Sequence, residues 1–223
     1  MAVKRCGKRN MVMETGLWAA AAVCALVYLF QTAQQPGSVR SITKTASVAA
    51  LALAALLGDA PLLLVAALGL CALGDFFLSR EGDASFRAGV AAFAAGHLVY
   101  AGLFLTRAES NVGLLIQMPG AGVLVLLMVL GLIMARVLAP RAGELQGPVL
   151  AYIPIILGMG AAALTLPFGT WVFAAACAFM LSDMVLAAET FVLGQSHPLR
   201  RITPYAVWPL YWGAQAGFVA IFS

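Results

Sequence analysis

An all-α integral membrane protein, eight transmembrane helices in one compact bundle, is predicted by three observations. Of 223 residues, 63% are hydrophobic and only 10% are charged, against about 25% charged in a typical soluble domain. The mean hydropathy is +0.97. The apolar residues also fall into runs near the roughly 20 residues a helix needs to cross the hydrocarbon. Backbone groups in lipid need internal partners, and helices supply them. The length suits a single transmembrane domain over residues 1–223, with a short basic N-terminal tail over 1–11 and no separate soluble domain.

The expected spans are 12–31, 42–58, 60–79, 84–106, 113–138, 148–166, 168–192 and 203–222. The N-terminal MAVKRCGKRN resembles the charged region of a signal peptide, but the apolar run continues to Phe30 with no clear cleavage site, which favours an uncleaved first helix. The second span is short and Ala-rich. It ends at GDAP, where Asp59 is expected to cap a helix carrying Pro61 in its first turn. The sixth and seventh spans meet at LPFG, where Pro167 and Gly169 make a tight turn. AALALAALLG and FAAACAF offer small side chains for close helix approach.

Eight spans put both termini on one side. The opposite side, B, carries Arg40, Lys44, Arg80, Arg87, Arg136, Arg141, Arg200 and Arg201; the terminal side carries Lys4, Arg5, Lys8, Arg9 and Arg107. The internal loops favour a cytoplasmic side B and the basic N-terminus favours the reverse, so this distribution fixes no orientation. The net charge of +4 reads as headgroup contacts, because no basic stripe or aromatic platform points to nucleic acid. The four cysteines form no C-x-x-C pair. Three lie in or beside apolar helices and read as packing residues, with neither a disulfide framework nor a thiolate metal site.

Against this background the acidic residues are informative. Only nine Asp and Glu occur, yet Asp75 sits in GLCALGDFFL and Asp183 in AFMLSDMVLA. An intramembrane carboxylate is costly and usually has a task or a partner. The topology brings Lys44, Asp75, Tyr152, Asp183, Tyr205, Tyr211 and Gln215 within a few turns of side B, at about 1.5 Å per residue. His97 lies deeper, with Phe93 and Tyr100 on its face. This convergence predicts a pocket opening on side B. Each residue also has a structural reading: the aspartates could pair with Lys44 or share a proton, His97 could bridge helices, the tyrosines could pack, and Lys44 could snorkel. Ser182 points elsewhere than Asp183 and fits a local polar network. Trp18, Trp208 and Trp212 read as interface anchors. Asp59, Asp83, Glu109 and Glu144 read as caps or solvated charges, and His197 as a headgroup contact.

No H-E-x-x-H or G-x-S-x-G occurs. Two histidines exclude a three-His zinc site; an Asp/Asp/His site stays open but is not required. Two carboxylates sharing a proton would provide acid and base from like residues.

LGLCALGDFFL around Asp75, AGVAAFAAGHLVYAGLF around His97 and Tyr100, AFMLSDMVLA around Ser182 and Asp183, and YWGAQAGFVA around Tyr211 and Gln215 together resemble the YhhN/TMEM86 family of membrane lysoplasmalogenases. Lys44 resembles the family's basic residue at the start of span two and Tyr152 its span-six tyrosine; Thr45 departs from the proline frequent there. The resemblance implies hydrolysis of the vinyl ether bond of alkenyl-glycerophosphoethanolamine or -choline to a fatty aldehyde and a glycerophospho-base. It places the work on the intramembrane aspartates. Asp75 and Asp183 would then be the acid–base pair, in an order the sequence leaves open, and His97 would orient groups or relay protons. Tyr152 and Tyr211 would position water or the glycerol oxygen. Tyr100, Ser182 and Gln215 would line the substrate site, and Lys44, Arg200 and Arg201 would meet the phosphate. No cofactor or metal is implied. The partners implied are a lysophospholipid substrate and the bilayer, with no nucleic acid, and the expected location is a bacterial cytoplasmic (inner) membrane. The competing classes are a proton-coupled small-molecule transporter and a non-catalytic lysolipid-binding protein.

Overall fold

The computed structural model describes residues 2–35, 37–167 and 170–223, with side chains from residue 11 onward. Among them lie eight α-helices: α1 (Ala2–Gln31), α2 (Ser38–Leu57), α3 (Leu62–Leu78), α4 (Asp83–Leu105), α5 (Gly120–Leu138), α6 (Gln146–Ala163), α7 (Val172–Phe191) and α8 (Thr203–Phe222). Gly169 of the expected Pro167/Gly169 turn, the side chain of Cys6 and those of the N-terminal basic residues lie outside the described residues.

Among the described residues six stretches are long and apolar enough to cross a membrane: Met11–Gln31, Ser38–Leu57, Asp83–Leu105, Gly120–Arg141, Gly143–Ala163 and Val172–Phe191. The chain is therefore a polytopic, all-α membrane protein. The expectation of eight spans is met only in part. Helix α3 has 17 residues, about 26 Å at the α-helical rise, short of a hydrocarbon core of about 30 Å. Helix α8 is long enough, but Thr203, Pro204, Tyr205, Pro209 and Gln215 dilute its apolar character.

Three local expectations are corrected. The fifth helix starts at Gly120, not near residue 113, because Pro119 precedes it and residues Val112–Leu115 form a 3₁₀ turn. Asn111 begins that turn by accepting a hydrogen bond from the Gly113 N–H at 2.9 Å. Asp59 does not cap α3. It takes a left-handed backbone (φ 56°) after α2, and Pro61 sits at the helix N-cap rather than in the first turn. Trp208 is buried, not a lipid-facing anchor.

The chain divides into two units, one of residues up to Val99 with Gln215–Ser223, the other of Tyr100–Ala214. In the first, neighbouring helices pack antiparallel in a consistent register. Glu14 of α1 lies against Gly58 after α2, and Tyr28 against Arg40 and Lys44. Lys44 faces Asp75, and the Ser41 hydroxyl donates to the Ser79 carbonyl at 3.3 Å. Between α3 and α4 the close approaches are Leu78 with Gly89, Gly74 with Phe93, and Cys71 with Gly96. A Cβ at Gly74 would lie 2.6 Å from the Phe93 ring, and one at Gly96 would lie 3.0 Å from the Cys71 sulfur. Bare backbone at these positions is what allows the two helices so close.

In the second unit Gly131 of α5 receives Leu157 of α6. A Cβ at Gly160 would lie 2.6 Å from the Met180 sulfur of α7. Helices α7 and α8 meet through Ser182, whose hydroxyl donates to the Val207 carbonyl at 3.1 Å, and through Phe179 and Tyr211. The α4–α5 connection is pinned by the Asn111 N–H donating to the Thr165 carbonyl at 2.8 Å.

Candidate functional site

The two aspartates that interrupt apolar helices occupy different settings. Asp75 is fully buried one turn before the end of α3. The Lys44 ammonium lies 3.0 Å from its Oδ1, with the lysine side chain only 16% exposed. A buried carboxylate left without a partner costs several kcal/mol, on the order of 3–5; the antiparallel α2–α3 register supplies the partner. The Lys44 ammonium also lies 5.8 Å from the centre of the Tyr28 ring, within cation–π range. So Lys44 does not simply snorkel to the headgroups: it is held between a carboxylate and an aromatic face.

His97 is also fully buried. Its Nδ1 lies 2.8 Å from the Phe93 carbonyl one turn back. A carbonyl can only accept, so Nδ1 carries the hydrogen and the ring's lone pair is on Nε2. The α3–α4 register places His97 opposite Leu70, about 7–8 Å along the helix axis from Asp75. Gln215, in the same unit, is fully buried as well.

In the second unit the Tyr152 hydroxyl donates to Asp183 Oδ2 at 2.8 Å. Asp183 is half-buried. Its partner is a neutral hydroxyl rather than a cation. One turn before Asp183, Phe179 is fully buried and joins a set of rings. Tyr100 meets it edge-on at 6.3 Å and Tyr211 meets it tilted at 5.4 Å. Trp208 continues the set at 5.8 Å from Tyr211, and Phe104 stacks on Tyr100 at 6.0 Å. Ser182 is buried, and its hydroxyl is held to the Val207 carbonyl of α8.

The two arginines expected near a phosphate differ. Arg200 closes the end of α7: its Nη2 donates to the Glu189 carbonyl at 2.6 Å and its Nε to the Leu193 carbonyl at 3.4 Å. It satisfies carbonyls that a helix end leaves without partners. Arg201 is exposed. His197 is exposed and accepts from the Leu199 N–H at 3.2 Å, starting the turn over Pro198–Arg201. Among the described residues no three His, Cys, Asp or Glu side chains are grouped as a metal site requires.

Sequence reasoning missed three participants: Tyr28, Arg40 and Phe179. Arg40 was signalled by lying one turn before Lys44, and Phe179 by lying one turn before Asp183. Tyr28 carried no such signal, because only the α1–α2 packing brings it to those cations.

Residues 39–222 match the YhhN family profile. The chain belongs to the YhhN family. No curated protein and no solved structure matches it. The YhhN match spans α2 to α8 and so contains Lys44, Asp75, His97, Tyr152, Asp183 and Tyr211. Tyr28, on α1, precedes it. The polar centre of the first unit is therefore built partly by a residue outside the part of the chain the family describes.

Proposed function

We propose that this YhhN protein is a lysoplasmalogenase of eight crossings acting as one transmembrane domain, with α3 and α8 completing the six spans that length and composition support. Its expected home is a bacterial cytoplasmic membrane. The substrate is an alkenyl-glycerophosphoethanolamine or -choline with one chain; the products are a fatty aldehyde and the glycerophospho-base. Beyond the family, the observation that supports this reading is the buried Asp75–Lys44 ion pair. A carboxylate kept charged in an apolar setting suits a reaction that develops positive charge.

A vinyl ether is cleaved by acid. A proton adds to the outer alkene carbon, the ether oxygen stabilises the resulting cation, water adds to it, and the hemiacetal collapses to aldehyde and alcohol. The reaction needs a proton donor, a negative charge facing the cation and a base for water. Asp75, bound to Lys44, suits the fixed negative charge. Asp183, bonded to the Tyr152 hydroxyl, suits proton transfer, since a hydroxyl can donate and accept in turn. His97 relays protons through Nε2. On this reading Tyr100, Tyr211, Ser182 and Gln215 are assigned to the glycerol and chain, and Arg200 and Arg201 to the headgroup.

The test is aldehyde release by purified protein from alkenyl and acyl lysolipids, with Asp75→Asn and Asp183→Asn beside the parent chain. Aldehyde from the alkenyl lipid only, reduced by about 10²–10⁴ in each folded variant, is the expected result. Undiminished cleavage in both variants would sink the assignment.

A further inference from the structure

The α2 start gathers more positive charge than the mechanism uses. Arg40 lies one turn before Lys44, on the same face. Both cations lie over the buried Tyr28 ring, at 5.7 Å for the Arg40 guanidinium and 5.8 Å for the Lys44 ammonium. Both sit in the N-terminal half of α2, whose first turn carries no acidic residue and whose own dipole is positive at that end. Against these charges stands one carboxylate, Asp75, engaged by Lys44. Among the described residues no carboxylate pairs with Arg40.

Arg40 also spends little of its donor capacity on the protein. A guanidinium has five N–H groups. One nitrogen, Nη2, donates to the Thr32 carbonyl at 3.1 Å. The Nε is buried from solvent with no hydrogen-bond partner. The side chain is partly covered, so the ring and the carbonyl fix it while most of its fork is unspent. A fixed guanidinium with unspent donors, in an excess of positive charge, is built for a bidentate oxyanion such as a phosphodiester.

We infer that Arg40, held by Tyr28 and Thr32, receives the phosphate of a single-chain phospholipid, leaving Lys44 to Asp75. This rests on the lysolipid reading for its ligand class but not on cleavage. It makes Arg40 a specificity-determining residue: it selects phosphorylated over phosphate-free single-chain lipids. It also gives α1 a task, since Tyr28 holds the guanidinium in place.

The experiment measures binding rather than turnover. The full chain, Arg40→Gln and Arg40→Lys are titrated in one detergent with a saturated-ether lysophosphatidylethanolamine, which cannot be cleaved as a vinyl ether, and with the matching 1-alkylglycerol. The ratio of the two affinities is expected to fall about 10- to 100-fold in Arg40→Gln, and by less in Arg40→Lys, which keeps charge but not the fork. If Arg40→Gln does not fold, the smaller fall in Arg40→Lys decides. An unchanged ratio, including equal weakening toward both ligands, overturns the inference. Inorganic phosphate is run as a third ligand. It is expected to bind far more weakly than the lysolipid; binding as tight would make this a free-anion site and overturn the lipid assignment. Failure of aldehyde release with this affinity pattern intact would sink the cleavage reading alone.

Discussion

Asp75 and Asp183 both interrupt apolar helices, yet the two units hold them by different physics. In the first unit a cation from the preceding helix pairs with a fully buried carboxylate at 3.0 Å. In the second a tyrosine hydroxyl donates to a half-buried one at 2.8 Å. An ion pair fixes charge. A hydroxyl–carboxylate bond fixes geometry while leaving the proton mobile. Two residues of one type thus stand in two environments, and the difference comes from which neighbouring helix faces each of them.

The sharpest way to break that contrast is to remove the cation. In Lys44→Met the carboxylate of Asp75 stays buried with its ion-pair partner gone, and a stability loss of about 3–5 kcal/mol is expected. Adding Asp75→Leu should recover much of it, because deleting both ends of a buried ion pair is often near neutral. Unfolding in mixed micelles of detergent and denaturing surfactant measures both. A loss below about 1 kcal/mol for Lys44→Met would put the pair in the class of solvent-screened contacts and remove the distinction between the units.

The second unit should respond less. Tyr152→Phe keeps the ring and removes one donor to Asp183. The expected cost is about 1–2 kcal/mol, the range for a hydrogen bond to a charged group reduced for partial exposure. The same unfolding assay measures it. A cost equal to that of Lys44→Met would show that the hydroxyl and the ammonium serve the same purpose.

How far these settings could be read from sequence follows from the physics of each. A carboxylate within an apolar run is visible in one dimension, so Asp75 and Asp183 stood out, as did Lys44 and Tyr152. Their partners depend on helix register, which in this chain is fixed by glycines. Gly74 against Phe93 and Gly96 against Cys71 lock α3 to α4, and nothing in the local sequence names those contacts. Tryptophan shows the same limit. Trp208 reads as an interface anchor but is buried, and residue type alone does not say which face of a helix is covered. The start of α5 was misread for a local reason: Val112 to Ile116 is as apolar as a helix, and only Pro119 and the turn at Asn111 delay it. Spans α3 and α8 lie at the other edge of legibility. Each has helical periodicity, while length in one and polar content in the other keep it below the measure of an ordinary crossing.

The smallest test concerns Ser182, which stands next to Asp183 but faces α8. Its hydroxyl donates to the Val207 carbonyl at 3.1 Å. That carbonyl lies between Tyr205, whose own carbonyl loses its usual helical donor, and Pro209, which lacks the N–H that would have supplied it. The serine therefore braces α8 near its kink-prone turn rather than touching Asp183. Ser182→Ala should cost about 0.6 kcal/mol, the average for hydrogen bonds between membrane helices. It should combine additively with Tyr152→Phe, since the two bonds share no atom and lie on different faces of α7. Measured in the same unfolding assay, a coupling above about 0.5 kcal/mol would join Ser182 to the Asp183 network. It would then belong with the Tyr152–Asp183 pair and not be a brace beside it.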